Sequence, residues 1–388
     1  MMPSGASRVP PTLAATAVFE ALELDAGRLA PLTIAYETYG TLDGDGGNAI
    51  LVCHALTGSA HAGNLYAEDG SLDGQPGWWE PLIGPGLALD TDRCFVICAN
   101  FLGSCYGTTG PASLDPATGR PYGPDFPPIT VRDMVRAQRL LIDRLGVRRL
   151  LTVTGGSLGG FQVLEWASMY SELVASIVPI ATSLAHSAWC VGLNEIAREA
   201  IRLDPAWRSG RYPPDAQPRE GLGLARQVAM ISYRSDVSFE RRFGRRLAPG
   251  AARPNPLEWR AEGNERVPEG GDFEVSHYLR YQGHKLVERF DANTYLTITE
   301  AMDRHDVAAG RGSAAEALKP FRGPVLCLGI SSDVLYPTWQ QREIVELFQR
   351  NGNAARYVEI DSPHGHDAFL IEWDAMAAEI APFLKGME

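Results

Sequence analysis

The chain contains no CxxC pair, and its six cysteines (Cys53, Cys94, Cys98, Cys105, Cys190, Cys327) are scattered, mostly inside apolar runs. That usage predicts buried free thiols in a reducing compartment, not a disulfide framework. No apolar window approaches about 20 residues, so no membrane-spanning helix is expected. The N-terminal stretch MMPSGASRVPPTLAATAVFE lacks a basic segment followed by a sustained apolar one, and no signal peptide is expected. Positive charge is also short. Thirty-five Lys and Arg stand against 47 Asp and Glu, a net charge of −12, which leaves no electrostatic footprint for nucleic acid. An anionic ligand would need a local basic site. There is no internal repeat and no low-complexity tail. Together these absences predict a soluble, cytoplasmic protein.

What is present is a chain of 388 residues, 45% hydrophobic and 21% charged, able to bury a sizeable core. The segments 49–56 (AILVCHAL), 94–101, 149–155 and 174–182 are continuous apolar runs of the kind that central strands show, while 31–40 alternates like a half-buried strand. Between them, 130–146 reads as a helix: Met134, Ala137, Leu141 and Leu145 share one face, Thr130 and Asp133 resemble a capping box, and Gly146 stops it. Strands and helices alternating at this spacing predict an α/β fold, a mostly parallel sheet with helices on both faces. From 184 to 305 the texture changes to amphipathic helical stretches around a Pro/Gly-rich linker at 248–271, and the sheet pattern resumes at 323–333 and 355–362. We therefore expect one α/β domain from 1–183 and 306–388, with a helical insertion at 184–305.

Residues 150–166, LLTVTGGSLGGFQVLEW, set Ser157 among four glycines where an apolar strand turns into a helix. Gly155–Gly159 matches G-x-S-x-G in the strand–turn–helix context that motif requires. The turn drives the serine toward positive φ and needs small neighbours, and the helix start at Leu158 offers N–H groups to a developing oxyanion. A serine hydroxyl is a weak nucleophile until a base takes its proton. Candidates follow in the order Ser…Asp…His: Asp333 in SSDVLYP beyond one strand, and His364 and His366 in DSPHGHDAFL beyond the last. Of the two histidines, His366 lies nearer the start of the final helix, expected to run on through HDAFLIEWDAMAAEIAPFL. A metal held by the two histidines lacks a third ligand. CHALTG (53–58) follows a strand near the catalytic edge, and the backbone N–H of Leu56 is the expected second oxyanion donor beside that of Leu158, with His54 structural.

NAILVCHALTG, PGWWEPLIGPG, CYGTTGP, TVRDMVRAQ, GGSLGG, YLRYQGHKLVERFDANTYL, SDVLYP and GHDAFL together resemble the homoserine O-acetyltransferase family, from about residue 30 to 375. The resemblance implies an α/β-hydrolase fold with a helical lid, a homodimer joined through the lids, and no permanently bound cofactor. It also implies ping-pong transfer of acetyl from acetyl-CoA, through an acyl-serine, to the hydroxyl of L-homoserine, with Ser157 as nucleophile, Asp333 as orienting acid and His366 as base. Arg226 would meet the acceptor carboxylate with Tyr233 beside it, and Asp367 the ammonium. A zwitterion needs one fixed cation and one fixed anion, and Arg supplies a bidentate fork. The sequence departs from the family at Ser104 and at AMISY (229–233), which keeps serine or another alcohol open as acceptor. Relatives that use succinyl-CoA place Trp-Arg directly after the acid. Val334 and Leu335 stand there in this chain, so acetyl is the expected donor group. RRFGRR (241–246) is a candidate for the CoA phosphates. A plain esterase, with water as acceptor, is the rival from another class.

Overall fold

The structure, a computed structural model, describes residues 11–67, 70–249 and 273–387. Its centre is an eight-stranded sheet: β1 (Thr12–Phe19), β2 (Leu32–Tyr39), β3 (Ala49–Cys53), β4 (Phe95–Ala99), β5 (Leu150–Gly156), β6 (Ile177–Ile180), β7 (Val325–Ile330) and β8 (Ala355–Ile360). The spatial order is β1-β2-β4-β3-β5-β6-β7-β8. The β1–β2 and β2–β4 pairs are antiparallel, and every later pair is parallel. The apolar runs read from the sequence are thus the central parallel strands, three of them trimmed by a few residues and 149–155 shifted by one.

Alternation along the strands divides the core. Leu51 and Cys53 of β3 belong to one apolar cluster, and Ile50 and Val52 to the other. The first cluster is covered by α1 (Val131–Arg144) and α2 (Leu158–Met169); the second is covered from the far side by Trp79 and the C-terminal helix. In α1 the expected capping box forms, with Asp133 N–H donating to Thr130 Oγ1 at 3.2 Å and Thr130 N–H to Asp133 Oδ2 at 2.9 Å. Met134, Ala137 and Leu141 are buried as the periodicity requires, and Gly146 follows with φ +80°.

Between β6 and β7 the chain leaves the sheet for α3 (Ala188–Leu203), α4 (Arg219–Ser232), α5 (Asp236–Arg242), α6 (Glu274–Val287) and α7 (Ala292–Asp303); the short α8 (Ala314–Leu318) leads back. Of the predicted linker at 248–271, residues 250–271 lie outside the described residues. After β7 come α9 (Thr338–Arg350), β8 and α10 (Trp373–Lys385).

Two sequence expectations need correction. The N-terminal edge strand β1 was not assigned, because TLAATAVF is small and only half-buried and carries no strong apolar signal. The final helix is not continuous from His366. Gly365–Leu370 is a 3-10 turn, and α10 begins only at Trp373. The Phe369 carbonyl, which an α-helix would use internally, accepts instead from the Trp79 indole N–H at 2.9 Å.

Candidate active site

At the C-terminal end of β5 the chain enters its sharpest turn. Ser157 has φ 60° and ψ −125°, a conformation costly for a residue with a Cβ, and α2 starts at the next residue. Ser157 N–H donates to Ile180 O at 3.0 Å, and Thr182 Oγ1 donates to Ser157 O at 3.0 Å. The flanking glycines answer to close approach. A Cβ on Gly159 would sit 2.1 Å from the Cys53 carbonyl oxygen, one on Gly160 2.4 Å from the Thr182 side chain, and one on Gly156 2.6 Å from the Phe369 ring. Any larger residue would push the Ser157 turn off the neighbouring strand.

The Leu56 loop is tied to this turn. Gln162 of α2 donates its side-chain amide to the carbonyls of His54 (3.3 Å) and Leu158 (3.2 Å), which holds the two loops in register. The backbone N–H groups of Leu56 and Leu158 meet no acceptor among the described residues. His54 is buried, stacked on Phe101 at 4.2 Å, and burial drops its pKa to about 4, so it stays neutral. Its place is structural, as expected.

Asp333 follows β7 and is buried. Its Oδ1 accepts the N–H groups of Leu335 (2.8 Å) and Tyr336 (2.9 Å), and its Oδ2 faces His366 Nδ1 at 2.7 Å. His366 is also buried, whereas His364 is 40% exposed and its Nε2 stands 4.0 Å from Glu372. The structure brings His366, not His364, to the acid. The loop carrying it is fastened by Gly365 N–H to Ser332 Oγ (2.9 Å) and by the Ser235 hydroxyl to Pro363 O. No hydrogen bond joins Ser157 to His366; in serine enzymes such contacts are often long until substrate binds.

A small cavity beside Ser157 is bounded by Leu335, Tyr336 and Tyr233 and, from the inserted helices, by Cys190 and Tyr295. The Tyr336 hydroxyl is fully buried and makes no well-aligned hydrogen bond; burial raises its pKa far above the usual value, against a smaller opposing effect of the Ser157 hydroxyl, so it stays protonated. Its ring lies 5.1 Å from that of His366 and 6.1 Å from that of His186, which is bound through Nδ1 to Asp303 at 2.9 Å. Leu335 is buried in the cavity wall, but Val334 is 47% exposed, so only one of the two apolar residues expected beside the acyl group is there. Sequence reading passed over Tyr336 although SDVLYP contains it, because an aromatic after a strand reads as core.

Arg226 lies on α4 with its guanidinium carbon 5.5 Å from the Tyr233 ring centre. Its side chain has no hydrogen bond or ion pair among the described residues. Tyr233 caps the same helix, lies 5.8 Å from His366, and has its hydroxyl pushed up to about 12 by burial. Asp367 N–H donates to Tyr233 O at 3.0 Å. Asp367, expected to meet the acceptor's ammonium, lies inside the 3-10 turn, and its Oδ2 pairs with Arg234 Nε at 3.2 Å. Burial raises the Asp367 pKa, and the charges of Arg234 and then Arg226 oppose that rise. Arg234, next to Tyr233 in sequence, carried no signal of its own.

A parallel sheet with a strained serine at one strand end and a buried His–Asp pair at two others defines the α/β-hydrolase class, and the family model described as alpha/beta hydrolase fold matches residues 48–372. The chain is 54% identical over 368 residues, covering 94% of each, to homoserine O-acetyltransferase of Moorella thermoacetica. It is 48% identical to that of Carboxydothermus hydrogenoformans, covering 95% of this chain and 93% of the relative. Among solved structures it resembles homoserine O-acetyltransferase from Bacillus anthracis (TM-score 0.86, 30% identity, 96% and 97% covered). It also resembles esterase E22 (TM-score 0.85, 27% identity, 96% and 100% covered). The chain belongs to the homoserine O-acetyltransferase family.

Proposed function

We propose that this protein transfers acetyl from acetyl-CoA to the hydroxyl of L-homoserine by a ping-pong route. The observation that carries the reading is the buried His366–Asp333 pair, 2.7 Å apart, with strained Ser157 on the next strand end but one, and with Arg226 and Asp367, two opposite charges that act on one another, on the elements beside them. His366 takes the Ser157 proton as Oγ attacks the thioester carbonyl, the N–H groups of Leu56 and Leu158 bind the oxyanion, and CoA leaves as the thiol on receiving that proton. Homoserine then enters with its carboxylate on Arg226 beside Tyr233 and its ammonium toward Asp367. His366 deprotonates its hydroxyl, which attacks the acetyl-serine and restores the free enzyme. Acetyl-CoA is a co-substrate, and the chemistry draws on no permanently bound cofactor.

Residues 184–305 act as the lid of the domain formed by 1–183 and 306–388, since α3, α4 and α7 line the cavity over Ser157 and keep water from the acyl-enzyme. The outer side of that lid carries exposed Trp189, Ile196 and Leu203 at seven-residue spacing on α3, with Leu224 and Ile231 at the same spacing on α4. Two helices side by side with such a stripe support a homodimer joined through the lids. The reading includes a cytoplasmic enzyme with no nucleic-acid or membrane partner. Among the described residues, no helix is long and apolar enough to cross a membrane. Thiol release from acetyl-CoA, measured with and without homoserine or serine, tests the function. Homoserine should accelerate release and yield O-acetylhomoserine. Release that ignores both amino acids and produces acetate would replace the transferase by an esterase.

A further inference from the structure

Coenzyme A ends in an adenosine nucleotide with a 3′-phosphate and a diphosphate, and a protein of net charge −12 must offer it local positive charge. In the stretch 241–246 one of the four arginines is ion-paired and two lie over aromatic rings. Arg246 pairs with Glu274 at 2.7 Å, while Arg242 lies over the Tyr278 ring and Arg245 over Phe273.

A different place fits better. A cavity of about 390 Å³ opens between the loop around residue 120 and the segment after α3, within the size range of small-molecule sites. Pro121, Pro124 and Pro213 give it stiff apolar walls, with Tyr212 held in place as its hydroxyl donates to Asp291 Oδ1 at 2.7 Å. Three arginines line it. Arg211 spends its charge on Asp125 in a double contact at 2.8 Å, but the side chains of Arg120 and Arg208 have no hydrogen bond or ion pair among the described residues. Arg208 and Ser209 both hold left-handed backbone, φ 49° and 56°, a strained choice for two consecutive non-glycine residues that turns this segment into the cavity rim.

The cavity is also within reach of the chemistry. Asp291 in its wall lies two residues after Arg289, at most about 7 Å of chain. Arg289 donates to the carbonyl of Thr57, next to the Leu56 oxyanion donor, at 2.8 Å. A pantetheine arm is long enough to cover that interval.

We infer that this cavity seats the nucleotide end of the acyl donor, with the adenosine against the proline walls and its phosphates on Arg120 and Arg208. The inference rests on the proposed use of acetyl-CoA. Its test compares wild type with Arg120→Gln, Arg208→Gln and the double variant, using acetyl-CoA, p-nitrophenyl acetate and adenosine 3′,5′-bisphosphate as probes. Each single change should raise KM for acetyl-CoA about tenfold with kcat unchanged, since each removes a charge-assisted phosphate contact. Turnover of p-nitrophenyl acetate, which has no nucleotide, should stay at the wild-type level, and calorimetric binding of the bisphosphate should weaken in parallel with the KM change. An unaltered KM for acetyl-CoA, or an equal loss with p-nitrophenyl acetate, overturns the assignment. If wild type cleaves p-nitrophenyl acetate but not acetyl-CoA, the acetyltransferase reading fails instead. The bisphosphate titration then still decides the cavity: binding lost in the variants upholds a nucleotide site, and no binding by wild type removes it.

Discussion

Arg234 Nε stands 3.2 Å from Asp367 Oδ2, so the carboxylate directly after the proposed catalytic histidine has a cation beside it before any acceptor arrives. Arg226, which acts on the same carboxylate from α4, keeps its own side chain unpaired among the described residues. An anion and an unpaired cation thus act on one another, which is the charge pattern an amino-acid zwitterion needs. Burial pushes the Asp367 pKa up, and the Arg234 charge opposes that rise.

Arg226→Ala or Asp367→Ala should impair the second half-reaction by about 2–5 kcal/mol, the usual loss when one partner of a buried charge pair is removed. The burst of thiol from acetyl-CoA alone should survive. Rapid-quench measurement of both half-reactions checks this, and a parallel loss of the burst would place the two residues in support of Ser157 instead.

Ser157→Ala should fold and lose transfer by about 10³-fold or more, because the covalent route is gone. Mass spectrometry of wild type with acetyl-CoA alone should find one acetyl group on the Ser157 peptide. His366→Ala should be about as damaging and His364→Ala far milder, given that only His366 meets Asp333. The opposite order in kcat would reassign the base.

Tyr336→Phe deletes a buried hydroxyl that makes no well-aligned hydrogen bond and is influenced by the Ser157 hydroxyl. Relief of that penalty, about 1–3 kcal/mol at most, should leave Tm unchanged or raised. If the hydroxyl serves the acyl group in the adjoining cavity, kcat falls at the same time. A lowered Tm with normal kcat would make Tyr336 a packing residue only.

Leu335→Arg should shift the ratio of kcat/KM for succinyl-CoA over acetyl-CoA upward. Leu335 is buried in the wall of the Ser157 cavity, and a succinyl carboxylate left there unpaired would cost several kcal/mol, so about 2 kcal/mol or more of discrimination by wild type is expected. Equal use of both donors by wild type would sink this account of specificity.

Ile196→Glu together with Ile231→Glu places charge in the exposed apolar face of α3 and α4. Sedimentation should show wild type as a dimer and the variant as a monomer; an unchanged sedimentation coefficient would move the interface elsewhere.

Most of the fold was legible because its parallel strands are buried on both faces and therefore read as unbroken apolar runs. The α1 boundaries were legible because capping is local chemistry between Thr130 and Asp133. The strand β1 was not, since its stability comes from pairing with β2 and its own side chains are half-exposed. Nor was the break between Leu370 and Trp373, which depends on an indole arriving from 290 residues away.

The sequence by itself determined the nucleophile turn. Glycines at 155, 156, 159 and 160 around a serine between strand and helix mark that turn in the sequence itself, although the groups that leave no room for a Cβ there, Cys53, Thr182 and Phe369, arrive from elsewhere in the chain. Tertiary structure alone decided which histidine meets Asp333, that Arg234 flanks Asp367, that Tyr336 shares a cavity with Ser157, and that Arg120 and Arg208 share another. Each of these joins groups far apart in sequence or chooses between near neighbours. Charge and hydrogen bonding act across a few ångströms of space, and only the folded chain sets those distances.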